Sequence, residues 1–205
     1  MADIYLYAFV EDAPSQAVLF KIINHVNNER QNKFVLNSLP VITHGFGNLK
    51  RTALRFANAA KNDVWSIFVT DLDQYSSPNA LCRDWFDLPC CSLLPHTMIF
   101  RVAVREIESW IIADKKGIAD FLNVSDSLFP DNPDRINDPK KLLIETIRTK
   151  CHRKKFREML PEHGQAVGVA YNSMLADYIA RSWDINQAAA HSPSLRRAIR
   201  CMKKR

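Results

Sequence analysis

Glycine is scarce in this chain, with five among 205 residues, so collagen-like and glycine-rich low-complexity proteins are excluded. Long apolar runs are also missing, because no segment approaches the roughly 18 to 20 apolar residues of a membrane span. The first apolar segment meets Glu11 and Asp12 before it reaches the length of a signal-peptide core. We therefore expect a cytoplasmic protein without a membrane segment.

Cysteine pairs with regular spacing are absent as well. The chain has five cysteines, an odd number, and none of them forms a Cys-x-x-Cys motif. We expect these thiols to be reduced, as is usual in the cytoplasm. Cys82, Cys90, Cys91 and His96 do not have the spacing of a common zinc site, so zinc is the weaker interpretation of this segment.

Acidic residues are absent from the end of the chain, where basic ones are frequent. Residues 194–205, "SLRRAIRCMKKR", contain six basic side chains and no acidic one. The whole chain carries a formal charge of +6. A positive surface of this kind attracts polyanions such as nucleic acid.

Apolar residues are plentiful, at 47% of the chain, and their periodicity alternates between strand and helix. Strand patterns cover residues 3–10, 33–43, 64–70 and 97–104, and helical patterns follow at 13–30, 44–60, 81–88 and 105–122. This alternation predicts an α/β fold, a mainly parallel sheet with helices on both faces. After about residue 115 only helical patterns remain, at 138–150, 169–183 and 193–204. We expect an α/β core at 1–114 and a helical subdomain with a basic C-terminal tail at 115–205.

Acidic side chains follow three of the four predicted strands. They are Glu11 and Asp12, then Asp71 and Asp73, then Glu106 and Glu108. Each pair alone is also explained by a turn or by favourable charge at a helix N-terminus. The carboxyl ends of parallel strands share one edge of the sheet, however, and carboxylates gathered there repel one another unless a cation lies among them. Oxygen ligands suit Mg²⁺ or Mn²⁺, which polarise phosphates and activate water.

This arrangement resembles the Toprim superfamily, in which a glutamate ends the first strand, a glycine-containing turn precedes the second helix and Asp-x-Asp ends the third strand. The segments that carry the resemblance are "FVED", "HGFGNLK", "TDLDQ", "VREIESWIIAD" and "DPKKLL", within roughly residues 1–145. In particular, the chain looks like small stand-alone bacterial Toprim-like proteins related to overcoming-lysogenization-defect nucleases. The resemblance implies a Toprim-like fold and a metal-dependent nuclease or related phosphoryl-transfer enzyme. It also implies a role in bacterial phage defence, with an AAA- or ABC-type ATPase partner.

The resemblance also assigns roles to the acidic residues. Glu11 matches the strand-one glutamate, which acts as metal ligand or general base in this superfamily. Asp71 and Asp73 match its metal-binding pair. Glu108, with Glu106 beside it, resembles a further acidic ligand of the nuclease branch. These residues are therefore the expected ligands of Mg²⁺ or Mn²⁺.

Two further positions bear on the nuclease branch. A lysine there steadies the transition-state phosphate, and Lys140 or Lys141 is the candidate in this chain. The same branch places an aspartate one helical turn after the first glutamate, where this chain has Ser15. That departure weakens the prediction of two tightly held metal ions. Asp12 is the candidate substitute for the missing aspartate, but its side chain points to the other face if the turn is regular.

Two basic segments are the candidate nucleic-acid contacts, one at 150–157 ("KCHRKKFR") and the other at the end of the chain. Basic side chains of this kind contact phosphates and position a nucleic acid without reading its sequence. A charged, solvated surface is the alternative interpretation. The candidate nucleic-acid-binding residues are Arg153, Lys154, Lys155, Arg196, Arg197 and Arg200.

Three functions remain in competition. The first is the metal-dependent nuclease, acting on DNA or RNA. The second is a non-catalytic Toprim-like module that binds or regulates an ATPase complex. The third, a receiver-like phospho-acceptor domain, requires Ser or Thr after strand four and Lys after a fifth strand. Here Arg105 and Glu106 follow strand four and no fifth strand is evident, so the third function is disfavoured.

Overall fold

A parallel sheet of five strands forms the centre of the computed structural model, which describes residues 2–59, 63–162 and 164–205. The strand order is β2-β1-β4-β5, β3 also pairs with β1, and each of these pairings is parallel. The strands are β1 (Ile4–Val10), β2 (Phe34–Leu36), β3 (Val41–Ile42), β4 (Trp65–Asp71) and β5 (Met98–Ala103). The predicted α/β fold with a mainly parallel sheet is confirmed.

The strand predicted at 33–43 is interrupted. Its first part, β2, pairs with the start of β1, and its second part, β3, pairs with Phe9 and Val10 at the end of β1. Pro40 lies between the two parts and has no N–H group to donate to a strand ladder. The predicted strand 33–43 is therefore two short strands, so the sheet has five strands where the sequence predicted four.

Helices cover both faces of the sheet. Along β4, Ile67 and Val69 point into one apolar core, while Phe68 points into the other, as the two-residue period of a strand requires. Helix α1 and the C-terminal helices pack in the first core, and α2 and α3 pack in the second. The helices are α1 (Ala13–Glu29), α2 (Phe46–Ala59), α3 (Pro78–Phe86), α4 (Ile107–Ile112), α5 (Lys115–Leu122), α6 (Pro139–Lys150), α7 (Tyr171–Arg181), α8 (Ile185–His191) and α9 (Pro193–Lys203).

The helix predicted at 105–122 is two helices, α4 and α5. The chain leaves the helical conformation at Asp114, whose Oδ1 accepts a hydrogen bond of 3.1 Å from the N–H of Gly117 and so caps α5. The other oxygen of Asp114 accepts from the Tyr178 hydroxyl at 3.2 Å and from the Asp184 N–H at 2.9 Å. These contacts come from distant residues, so the apolar pattern around 105–122 gave no sign of the break.

The C-terminal helices share the core of the sheet. Helices were expected at 138–150, 169–183 and 193–204, and α6, α7 and α9 lie there, whereas α8 was not predicted. Helix α7 packs on α1, and α9 packs on α1 and β5. Leu195 and Met202 of α9 are buried, so the expected basic tail is an amphipathic helix held against the core. Within the described residues no helix is long and apolar enough to cross a membrane.

Two of the cysteines are joined. Cys82 and Cys91 form a disulfide with their Cα atoms 5.5 Å apart, while Cys90, Cys151 and Cys201 carry free thiols. The expectation of reduced thiols was therefore wrong for Cys82 and Cys91. The turn after α3 brings the two cysteines within disulfide distance, which their spacing in sequence did not reveal.

Candidate functional site

The carboxylates predicted to converge lie at one edge of the sheet. Strands β1, β4 and β5 are adjacent and parallel, and Asp71 at the end of β4 is paired with Ala103 at the end of β5. Glu11 directly follows β1, and Glu106 and Glu108 follow β5 at the start of α4. The topology therefore carries all three acidic segments to the carboxyl end of the sheet, where ligands of such folds bind.

Glu11 is held by the neighbouring strand. Its Oε1 accepts a hydrogen bond of 2.8 Å from the Thr70 hydroxyl and one of 3.2 Å from the N–H of Asp71. Burial raises the pKa of Glu11, and the nearby charges of Asp73 and Asp12 add to the rise, while the two hydrogen bonds oppose it. One carboxylate oxygen is thus fixed in position, which leaves Oε2 for another partner.

Asp71 connects β4 to α4. Its Oδ1 accepts a hydrogen bond of 2.8 Å from the N–H of Ile107 in the first turn of that helix. Burial raises the pKa of Asp71 well above its usual range, and the charges of Glu108 and Glu11 raise it further. Three carboxylates from three strand ends are therefore close enough to perturb one another.

Asp73 lies in the turn that follows β4. Its backbone has a φ of 48°, in the left-handed region that aspartate tolerates better than most residues. The Asp73 N–H donates to the Arg105 carbonyl at 3.0 Å, and the Arg105 guanidinium donates to the carbonyls of Asp73 and Tyr75. Burial raises the pKa of the Asp73 carboxyl, whereas the positive charge of Lys140 lowers it. The turn thus places the Asp73 carboxyl close enough to Lys140 to feel its positive charge.

Lys140 lies between two of the glutamates, and Lys141 does not. The ammonium of Lys140 is 3.6 Å from Oε1 of Glu108 and 3.9 Å from Oε1 of Glu106. Its backbone N–H also donates to Oε2 of Glu106 at 2.9 Å. Lys141 is exposed, and its N–H donates to Asp138 in the cap of α6. Of the two candidate lysines, Lys140 is the one that the structure brings to the carboxylates.

Glu108 is the most deeply buried of these acids, with 1% of its surface exposed. Its Oε1 accepts a hydrogen bond of 3.0 Å from the Tyr171 hydroxyl, and its Oε2 is buried without a hydrogen-bond partner among the described residues. Burial raises the pKa of Glu108 to about 7, although the charge of Lys140 opposes the rise. A buried carboxylate oxygen without a hydrogen-bond partner is costly, so Oε2 of Glu108 calls for a further partner.

Tyr171 is the contact that sequence reasoning missed. It belongs to α7, far from the acidic segments in sequence, and its ring is fully buried in the core. Its apolar neighbours make it indistinguishable from a core aromatic in the helical pattern. Burial and the adjacent charge of Glu108 raise its pKa well above the usual range, so the phenol remains a proton donor.

The residues fit Mg²⁺ or Mn²⁺ in donor chemistry. Glu11, Asp71 and Glu108 each use one oxygen for a structural hydrogen bond, and oxygen ligands are those that these ions prefer. Across residues 2–59, 63–162 and 164–205, no three acidic, histidine or cysteine side chains form a group that could hold a metal ion. Ligation by these residues therefore requires their side chains to turn toward one another, and Lys140 supplies the positive charge in the present arrangement.

A cleft of about 370 Å³ opens beside Glu11. It is lined by Glu11, Asp12, Ala13, Ile42, His44, Gly45 and Asn172. Gly45 has a φ of 118°, which a side chain would make unfavourable, and the turn leads directly into α2. At the opposite wall Asp12 caps α1 by accepting from the N–H of Ser15 at 2.9 Å. Ser15 is thus part of a helix cap at the position where the nuclease branch has an acid.

The predicted basic contacts lie on two separate elements. Arg153, Lys154 and Lys155 are exposed around the 3-10 turn after α6, and the ammonium of Lys155 lies 4.8 Å from the centre of the Phe156 ring. Arg196, Arg197 and Arg200 are exposed on α9. Both sets are therefore accessible to a polyanion.

No protein-family model, curated protein or solved structure matches this chain. The functional interpretation of the carboxylates therefore depends on their geometry and chemistry.

Proposed function

We propose that this protein is a Mg²⁺- or Mn²⁺-dependent nuclease, or a related phosphoryl-transfer enzyme, acting on nucleic acid. The observation that carries the proposal is the buried, unpartnered Oε2 of Glu108 within a set of carboxylates beyond three adjacent strands. A divalent cation would satisfy that oxygen and would offset the burial and the carboxylate repulsion that raise the pKa of Asp71. The resemblance of the same segments to the Toprim superfamily supports the same chemistry.

The candidate metal ligands are Glu11, Asp71, Asp73, Glu106 and Glu108. A divalent ion bound there would polarise a phosphate oxygen and lower the pKa of a bound water. The protein contributes the orientation of the ligands, since Thr70 and the Ile107 N–H each fix one oxygen of a neighbouring carboxylate.

Two residues have roles beyond ligation. Glu11 borders the cleft, and its raised pKa brings it closer to neutrality, where a carboxylate is a better general base for the attacking water. The carboxylates around Lys140 raise its pKa, so it remains cationic. A fixed positive charge at that point stabilises the negative charge that develops on phosphoryl oxygens.

The polyanionic substrate would be held by the exposed basic residues of the 3-10 turn and of α9. The resemblance further suggests that the protein works in phage defence with an AAA- or ABC-type ATPase, and we keep a cytoplasmic location as part of the proposal. That partner is part of the proposal.

A non-catalytic module that binds or regulates an ATPase complex is the second candidate. The observation that favours it is Lys140, which lies within 4 Å of both Glu106 and Glu108 and already neutralises part of their charge. In that case the carboxylates and the lysine form a structural network, and no cation is needed for function.

Cleavage assays separate the two candidates. The full chain, with Mn²⁺ and any ATPase encoded beside it, would be incubated with labelled DNA and RNA. Glu11→Gln and Asp71→Asn keep the hydrogen-bond acceptors seen in the structure, so the fold should persist. We expect each to lower the cleavage rate by about 100-fold or more, with substrate binding retained.

Asp120→Asn is the matched control, because Asp120 is an exposed acid of α5 whose ion-pair partner is Lys116. It should cleave like the unmodified chain. If the mixture of chain and ATPase cleaves equally well with Glu11→Gln and with Asp71→Asn, these carboxylates do not carry the cleavage, and the non-catalytic module is the remaining candidate.

A further inference from the structure

Arg101 has a partly buried side chain that forms no ion pair with a carboxylate in the part of the chain that the structure describes. It belongs to β5, which is the last strand of the order β2-β1-β4-β5. Its Nε is buried and has no hydrogen-bond acceptor among the described residues. Burial lowers the pKa of Arg101 and the charge of Arg205 lowers it further, whereas the charge and hydrogen bond of Cys201 raise it; none of these groups is a carboxylate. A buried guanidinium N–H without an acceptor is costly, and an anion would supply the acceptor.

A cavity of about 160 Å³ lies beside Arg101, between the edge of β5 and α9. Its polar lining comes from Arg101, Arg197 and Ser194, and its apolar lining from β5 includes Phe100 and Val102. None of the described residues that line it is acidic. The cavity is several times the roughly 30 Å³ that a water molecule occupies in the liquid, so a small polyatomic anion has room there.

Arg101 and Arg197 line one cavity, and no acid among its lining residues offsets their positive charges. Arg205, near the end of the chain, adds a third positive charge close to Arg101. A guanidinium presents its N–H groups in a planar fork that matches the oxygens of a phosphate, and such charge-assisted bonds are stronger than neutral ones. The electrostatics and the shape therefore favour the same class of ligand.

We propose that this cavity binds a phosphate-type oxyanion through Arg101 and Arg197. The ligand is either a free phosphate group or a backbone phosphate of a nucleic acid. The second source rests on the proposed function, and the geometry allows it: Val102 and Val104 line the cavity and flank Ala103, the strand partner of Asp71. A phosphate bound there would lie along the same strand that leads to the carboxylates.

Inorganic phosphate is the direct probe. The melting temperature of the full chain would be measured without metal, in increasing phosphate and at constant ionic strength. We expect phosphate to raise it, because a ligand of the folded state stabilises that state. Arg101→Gln and Arg197→Gln should each weaken apparent phosphate affinity about tenfold or more. Arg181→Gln, which changes an exposed arginine of α7 that pairs with Asp177 and does not line the cavity, should respond like the unmodified chain.

Arg197 is exposed, so its substitution keeps the test interpretable even if Arg101→Gln fails to fold. Binding of a short labelled oligonucleotide then distinguishes the sources. A loss of about tenfold in Arg197→Gln, but not in Arg181→Gln, assigns the site to a nucleic-acid phosphate. Unchanged oligonucleotide binding with lost phosphate stabilisation assigns it to a free phosphate group. An unmodified chain that does not respond to phosphate, or an Arg197→Gln variant that responds equally, would overturn the site. Neither result depends on cleavage, so failure of the nuclease proposal remains a separate outcome.

Discussion

Glu108 contacts residues from two other helices. It belongs to α4, Lys140 belongs to α6 and Tyr171 belongs to α7. Its acidic character and its position after a strand were visible in the sequence, and so was the lysine as one of two candidates. The role of Tyr171 was not visible in the sequence, because only folding brings α7 to the end of β5. The sequence thus indicated the charged groups of the site but not the hydrogen bond that orients one of them.

Glu108→Gln should change how stability depends on pH. The folded-state pKa of Glu108 is raised from 4.5 to about 7, so its stabilising contribution is fully present below pH 4.5 and is lost as the pH rises through 7. Without divalent metal, Glu108→Gln should therefore gain free energy of unfolding relative to the unmodified chain between about pH 5 and pH 8. Denaturant unfolding at several pH values measures this difference. A constant difference between the two proteins across that range would contradict the assigned environment of Glu108.

Tyr171→Phe should affect both stability and metal affinity. The variant removes the 3.0 Å hydrogen bond to Glu108, and the loss of such a buried bond costs about 1–3 kcal/mol. Because outer residues that orient metal ligands are worth about 10- to 100-fold in affinity, Mn²⁺ binding should weaken by about tenfold. Calorimetric titration with Mn²⁺ and denaturant unfolding give the two readouts.

Tyr178→Phe is the control for that experiment. Tyr178 lies on the same helix and donates to Asp114, another buried carboxylate, at 3.2 Å. Its substitution should lower stability by a similar amount and leave Mn²⁺ affinity unchanged. If the two variants bind Mn²⁺ equally well, Tyr171 has a purely structural role.

At the scale of elements, the sequence located the central strands closely and failed where distant contacts decide. The strands predicted at 64–70 and 97–104 lie at Trp65–Asp71 and Met98–Ala103, because continuous apolar runs are typical of buried parallel strands. The predicted strand 33–43 divides at Pro40, a local feature that apolar periodicity does not register. The break in the predicted helix 105–122 depends on distant partners of Asp114, on which local periodicity does not report.

Gly117→Ala should destabilise the protein, although alanine is the better helix former. A Cβ atom at this position would lie 2.0 Å from Oδ2 of Asp114 and 2.7 Å from the Tyr178 hydroxyl. The resulting displacement of the cap should cost about 1–3 kcal/mol, more than the roughly 1 kcal/mol gained in helix propensity. Thermal and denaturant unfolding measure the net effect.

Gly47→Ala provides the comparison, since Gly47 lies in α2 and a Cβ there would meet nothing within 4 Å. It should be neutral or stabilising by up to about 1 kcal/mol. Equal effects of the two substitutions would show that the contacts around Asp114 do not determine the start of α5.

The whole molecule combines the two parts expected at 1–114 and 115–205 in one apolar core and one candidate site. Residues of β1, β4 and the C-terminal helices belong to the same buried cluster, and Lys140 and Tyr171 reach the carboxylates from the second part. Because α9 is packed in that core, removing the C-terminal basic segment would disturb folding as well as charge. Single substitutions are therefore the cleaner means of studying its arginines.

Binding of Mn²⁺ to the full chain, at about pH 8, tests the central claim most directly, because it requires neither a substrate nor a partner. Ligating carboxylates must be ionised, so affinity should increase as the pH rises through the raised pKa values of the site. We predict that the unmodified chain binds Mn²⁺ in calorimetric titration and gains in melting temperature. Asp71→Asn combined with Asp73→Asn should abolish both effects, and Asp120→Asn combined with Asp126→Asn, an equal change of charge on exposed acids, should retain them. Equal Mn²⁺ binding by the Asp71/Asp73 variant and the unmodified chain, or no binding by the unmodified chain, would contradict a metal site at this edge of the sheet.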